Sequence, residues 1–226
     1  MSGRILPVLF ALGSIPVPTS AVLATSVVAR EPVDAGVELA RLIYPATLNS
    51  AIVSYTFENI VGPTYRADPD LKALEAAHPG IIDAMIAAIR PEFERGRTEA
   101  LPSLWAKTGS LYARQLDATE LNQAIEFYSS PAGLRLRELE ARRIASADET
   151  TPDVVLRPQS TPSIGAAKTS FDTTTVGKKI AALQPEIEAI NAAWNKAPMP
   201  EANARIETAL TKVMARFGVV NHTPKR

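Results

Sequence analysis

The 226-residue chain contains no cysteine and only two histidines, His78 and His222. Without thiols there is no disulfide, no cysteine-ligated zinc or iron–sulfur cluster and no cysteine nucleophile, so stability has to come from packing. Neither histidine sits in an HExxH-type ligand arrangement, and His78, in Ala-Ala-His-Pro-Gly, reads as a helix-end residue. The sequence also lacks a G-x-S-x-G elbow, a P-loop and a G-x-G-x-x-G turn, which removes the usual signatures of serine hydrolases, nucleoside triphosphatases and dinucleotide enzymes. No charge of one sign dominates: 24 Lys and Arg balance 24 Asp and Glu. Such a chain exerts no general attraction on nucleic acid or an anionic membrane. Aromatics are sparse at 6%, against 46% hydrophobic residues rich in alanine. That balance suits helices better than a β-sandwich, which draws on Val, Thr, Tyr and Trp.

What is present begins with an uncharged run. After Arg4 no charge occurs until Arg30, and small residues gather towards the end of the run. This is the form of a secretory signal over residues 1–24, with an apolar core over 5–12. Val22-Leu23-Ala24 supplies the residues a signal peptidase accepts, and Ala29 is a second choice. The other reading is a membrane anchor, against which Gly13, Pro16 and Pro18 break a spanning helix midway. The expected location is periplasmic or secreted.

Downstream, apolar residues recur at spacings of three and four, as on helices. Pro45 is expected to end a first piece near Ile43 and Gly62-Pro63 a second. A short helix over 70–77 stops at His78-Pro79-Gly80, and Pro91 and Pro102 are expected to cut residues 81–115 into pieces or kink them. In "LDATELNQAIEFYSSPAGLRLREL", residues 116–139, Asp117 and Glu120 have capping-box spacing, flanked by Leu116 and Leu121 as a hydrophobic staple. Ser130 then fits as a second N-cap with Pro131 at the first helical position, so one helix starts where another ends. Gly133, one turn in, permits close approach of another helix.

Glu120, Leu121, Phe127, Tyr128, Ser130, Pro131 and Gly133 together form an E-L…F-Y-x-S-P-x-G pattern that resembles the bacterial domain-of-unknown-function 2059 family, over roughly residues 101–139. The resemblance implies an exported, mainly helical protein and leaves its activity open. Each motif residue also has a structural role on this reading, so the motif is taken as architectural.

Residues 150–175, rich in Thr, Ser and Pro, read as a linker or surface loop with a brief extended "DVVL". The tail, 176–226, offers two helices with apolar stripes through Ile180, Leu183, Ile187 and Ile190, and through Ile206, Leu210, Val213 and Phe217, suited to an αα-hairpin. No repeat is evident between the two halves. Residues 25–149 hold 13 basic and 18 acidic side chains and residues 150–226 hold 10 and 6, so the tail is expected to dock on the body.

Among chemical candidates, Glu92 with Glu94, and Glu120 with Glu126, are the nearest carboxylate pairs, but neither spacing aligns two acids on one helix face. Arg135, Arg137, Arg142 and Arg143 interleave with Glu138 and Glu140 as an internally paired face, with Glu138 and Arg142 at i, i+4. The expectation is therefore an all-α irregular bundle with proline-delimited helices and a C-terminal αα-hairpin. In function it reads as a non-enzymatic binding or interaction module of the envelope, with no cofactor, no metal site and no nucleic-acid partner. Its partner would be a protein, an envelope component or a small apolar ligand. The competing readings are a hydrolase using carboxylates assembled by the fold and an amphipathic membrane-surface protein.

Overall fold

A computed structural model describes residues 31–146 and 162–219, and among them every regular element is helical. The expected signal peptide and the "DVVL" segment lie outside the described residues. In order the helices are α1 (Pro32–Ile43), α2 (Ala46–Thr56), α3 (Gly62–Ala67), α4 (Pro69–Ala77), α5 (Ile81–Gln115), α6 (Ala118–Ser129), α7 (Pro131–Ser146), α8 (Pro162–Thr173), α9 (Thr175–Ala182), α10 (Gln184–Lys196) and α11 (Pro200–Arg216). Pro45 separates α1 from α2 as its missing donor requires, and Asp68 caps α4 by accepting from the amides of Asp70 and Leu71.

Gly62-Pro63 does not stop the chain. A widened turn over Phe57–Val61 carries α2 into α3, and the Gly62 amide reaches back five residues to the Phe57 carbonyl. That spacing absorbs the donor Pro63 cannot supply.

The 35-residue α5 is the axis of the fold, and Pro91 and Pro102 lie inside it without ending it. Eleven residues apart, they fall on one face of the helix, and both are exposed. Each proline orphans the carbonyl four residues back, on Ala87 and Thr98, which are exposed too. Water can satisfy those groups, so the usual cost of an interior proline is reduced to its steric part.

Every other helix group builds on this axis. α1 packs along its C-terminal half and α11 along its N-terminal half, while α6 packs on α1 and α7 on α2. The largest apolar cluster joins Leu39, Leu111, Tyr112, Leu121, Ala124, Phe171 and Val176 with Ile180, Ile187 and Ile190 against it. Smaller clusters hold Ile206 and Leu210 beside Val53 and Phe57, and Val213 and Phe217 beside Ile81 and Met85. The apolar stripes of the tail are thus covered by the body.

Two expectations about the tail change. Residues 162–173, assigned to a loop, form α8, and the stretch from Val176 to Asn195 is divided at Leu183 into α9 and α10. α10 and α11 follow each other across residues 197–199, but each packs on α5 rather than lengthwise on the other. The charge asymmetry is realised in ion pairs from tail to body: Lys179 with Glu120 at 2.6 Å, and Arg205 with both Glu92 at 2.9 Å and Glu99 at 2.8 Å.

Candidate functional site

The sequence motif builds a corner. Asp117 accepts from the Glu120 amide at 2.9 Å and Glu120 accepts from the Asp117 amide at 3.0 Å, a complete capping box, with Leu116 and Leu121 buried on either side. Lys179 also binds the Glu120 carboxylate, and this pairing, followed by the Asp117 amide, holds its pKa below the ordinary glutamate value. At the other end of α6 the Ser130 hydroxyl donates to the Phe127 carbonyl at 2.6 Å and accepts from the Gly133 amide at 3.1 Å. Pro131 occupies the exposed first position of α7. A Cβ on Gly133 would lie 2.3 Å from the Phe127 carbonyl oxygen and 2.7 Å from Tyr128 Cα, so glycine lets α7 leave the end of α6 this tightly.

The corner occurs twice. Forty-four residues on, the Thr174 hydroxyl donates to the Phe171 carbonyl at 2.6 Å and accepts from the Gly177 amide at 3.0 Å. A Cβ on Gly177 would lie 2.2 Å from the Phe171 carbonyl oxygen. α6 and α8 are both 12 residues long, and the caps have nearly equal dihedrals, φ −65°, ψ 159° at Ser130 and φ −68°, ψ 162° at Thr174. The two corners thus share their local geometry, although no repeat is evident in the sequence. The two corners face each other: the Phe127 and Phe171 rings stack with centroids 4.0 Å apart and planes within 4°, and Tyr128 meets both edge-on. An open groove of about 790 Å³ runs between them.

Residues 108–152 match a family model described as an uncharacterized protein conserved in bacteria, DUF2059. No curated protein and no solved structure matches the chain. The DUF2059 match takes in the end of α5, the first corner and α7. Within it every motif residue singled out from the sequence except the exposed Pro131 has a packing, capping or ion-pairing contact, and the structure brings Phe127, Tyr128, Ser130 and Gly133 together while Glu120 and Leu121 lie at the far end of α6.

By fixing α7 at its start, the corner presents the outward face of that helix to α1 and α2. Leu134, Arg137, Glu138, Ala141 and Ala145 follow helical spacing along a groove of about 510 Å³ completed by Arg41, Leu42, Pro45 and Ala51. Leu134 is 55% exposed. The rim is basic. Arg41 lies over the Trp105 ring and Arg137 over the Tyr128 ring while donating to the Ile43 carbonyl at 3.2 Å, and neither makes an ion pair among the described residues. Of the basic set read from the sequence, Arg135 and Arg142 both bind Glu138, and Arg143 binds Glu140. Arg137 alone lines both this groove and an inner cavity of about 190 Å³ bounded by Tyr44, Thr108, Tyr112, Gln184 and Asn191. The Tyr112 and Tyr128 hydroxyls are held protonated by burial, with the Arg137 charge opposing.

Sequence reasoning passed over Arg97. It is buried between α2, α5 and α10, donating to Asn195 at 2.6 Å and to Asn49 at 3.4 Å, with its guanidinium 3.8 Å from the Trp194 ring centroid. Burial lowers its pKa, opposed by the Tyr44 hydroxyl beside it. In the sequence Arg97 is one charge in the run from Glu92 to Glu99, and its place on the buried side of α5 is unreadable before the phase of that helix is known.

Among the described residues the carboxylates singled out from the sequence form no acid–base pair. Glu92 and Glu99 share Arg205, and Glu120 is tied to Lys179. Where carboxyl shifts are resolved, at Glu75, Glu99, Glu120, Glu138 and Glu140, all are downward, led by backbone amides at Glu75 and by Arg or Lys hydrogen bonds at the others. Among the described residues no three His, Asp or Glu side chains gather as a metal site, and no helix is long and apolar enough to cross a membrane.

Proposed function

We propose that the protein is an exported, non-enzymatic binding module of the bacterial envelope, periplasmic or secreted after cleavage of residues 1–24. The groove between α1–α2 and α7 would take a ligand with an apolar body and an acidic head. One observation carries this reading: an apolar floor with exposed Leu134 lies beside Arg41 and Arg137, two guanidinium groups that make no ion pair among the described residues. Its volume of about 510 Å³ falls within the range of small-ligand sites. A hydrolase would need a proton donor of raised pKa, whereas the resolved carboxyl shifts run the other way.

Isothermal titration of the mature protein with dodecanoate and with dodecylamine tests the reading. Dodecanoate should bind, dodecylamine should bind more weakly, and Leu134→Asp, which removes the apolar contact and repels the acid, should abolish dodecanoate binding while circular dichroism stays unchanged. No heat with dodecanoate, or equal binding of amine and acid, overturns it.

A further inference from the structure

The two corners agree at the positions that shape them. Phe127, Ser130 and Gly133 correspond to Phe171, Thr174 and Gly177, and the flanking bonds correspond as well. Ser129 donates to the Glu126 carbonyl at 3.2 Å and Thr173 to the Ser170 carbonyl at 2.8 Å. The Leu134 amide returns to Ser130 at 2.9 Å and the Lys178 amide to Thr174 at 3.1 Å. The lining of the groove between them repeats the match: Gln123 and Ala167, Glu126 and Ser170, Ala132 and Val176 are equivalent pairs, all on its wall. A side chain stacked on its own equivalent, as Phe127 is on Phe171, is the signature of contact between two copies related by a twofold axis. Here both copies belong to one chain.

We infer that residues 162–183 are an internal copy of the family corner, and that the face formed by Phe127, Tyr128 and Ser130 is a pairing surface for a helix–corner–helix of the pattern Phe-x-x-Ser/Thr-x-x-Gly, filled in this chain from within. Three features explain what the surface selects. Parallel stacking demands an aromatic ring at the last turn of the incoming helix. The hydroxyl cap turns the incoming chain without leaving a buried amide orphaned. The glycine removes the side chain that would collide with the preceding turn. Lys179 adds a charge that meets Glu120 at the far end of α6. The inference is independent of the ligand groove, which lies on the face of α7 towards α2.

Two arms test it on the full mature chain. In the first, residues 171–177 are replaced by the sequence of residues 127–133, or by a scramble of that heptad. The graft puts alanine in place of buried Val176, so it should lower the urea midpoint only as far as Val176→Ala alone does, while the scramble should lower it further; equal loss in graft and scramble overturns the internal copy. In the second, Phe171→Asp displaces the resident corner, and a fluorescein-labelled peptide spanning residues 162–183 is titrated by anisotropy. It should bind the variant at least roughly tenfold more tightly than wild type, a difference of about 1.4 kcal/mol. A peptide carrying Gly177→Leu should not bind. Circular dichroism checks that the variant stays helical, and Phe171→Ala replaces it if it does not. Uptake by the helical variant no better than by wild type overturns the pairing surface.

Discussion

Gly36 and Gly109 bring the backbones of α1 and α5 into direct contact. A Cβ on Gly36 would stand 2.2 Å from the Gly109 carbonyl oxygen, and one on Gly109 would stand 2.6 Å from the Val37 nitrogen. The crossing anchors the helix that carries Leu39 and Ala40 into the largest apolar cluster. Replacing either glycine by alanine sets two effects against each other. Helix propensity gains about 0.5–1 kcal/mol, while overpacking costs about 1–3 kcal/mol. Because the obstructing atoms are backbone, which cannot rotate aside, overpacking wins. Gly109→Ala and Gly36→Ala should each lower the urea midpoint at unchanged slope, and a midpoint equal to or above wild type would show that the crossing relaxes.

The tail is held to the body in part by charge, so its stability should follow carboxylate titration. The Arg205 hydrogen bond lowers the pKa of Glu99, and the Lys179 hydrogen bond lowers that of Glu120. A carboxyl whose folded pKa lies below its unfolded value stabilises above the unfolded value, and that contribution is lost as pH falls through the folded pKa. A Lys179→Met, Arg205→Met double variant should therefore melt below wild type at pH 7. The gap should close as pH falls from the ordinary glutamate range through the depressed values. A gap of constant size down to pH 2 would mean that the two cations act through packing of their stems.

Local signals were legible and those that depend on helix phase or a distant partner were not. The capping box of Asp117 and Glu120 and the cap at Ser130 span three residues, so spacing alone reveals them. Pro91 and Pro102 read as breaks because the sequence does not say that both face water. α8 went unseen because its Ser, Thr and Lys content has no apolar period. What fixes it is Phe171 stacking on a ring 44 positions earlier. The second corner shares with the first only a phenylalanine, two hydroxyl residues and a glycine in seven residues, too little to find by inspection. Gly36 and Gly109 carried no local mark, since each is explained only by the other. The groove on α7 was half visible: the Glu138–Arg142 pair follows from its i, i+4 spacing, but the second pairing of Glu138 with Arg135, and the positions of Arg41 and Arg137 over aromatic rings, required the fold.

The proposed export rests on residues 1–24 alone. Expression of the full chain in a bacterial host, followed by osmotic-shock fractionation and N-terminal sequencing, should recover a protein starting at Thr25 in the soluble periplasmic fraction. An intact Met1 or Ser2 terminus in the membrane fraction would instead make the segment an anchor.

The corner itself separates architecture from chemistry. Ser130 makes two bonds, one satisfying the Gly133 amide, and Thr174 repeats both at the second corner. Loss of either hydroxyl should cost about 0.5–2 kcal/mol, the usual worth of an N-cap. Gly133→Leu should cost more than Ser130→Ala, because even its Cβ falls 2.3 Å from a backbone oxygen that is fixed at the end of α6. If the motif serves the fold, any cellular phenotype of deleting the gene should be restored by each variant in proportion to its remaining stability. Thr174→Ala, at the corner that the family match leaves out, should then behave like Ser130→Ala. Urea melts of the three variants beside complementation decide between the readings. A Ser130→Ala protein with wild-type stability that fails to complement, while Thr174→Ala succeeds, would make the Ser130 hydroxyl part of a functional site and not a cap alone.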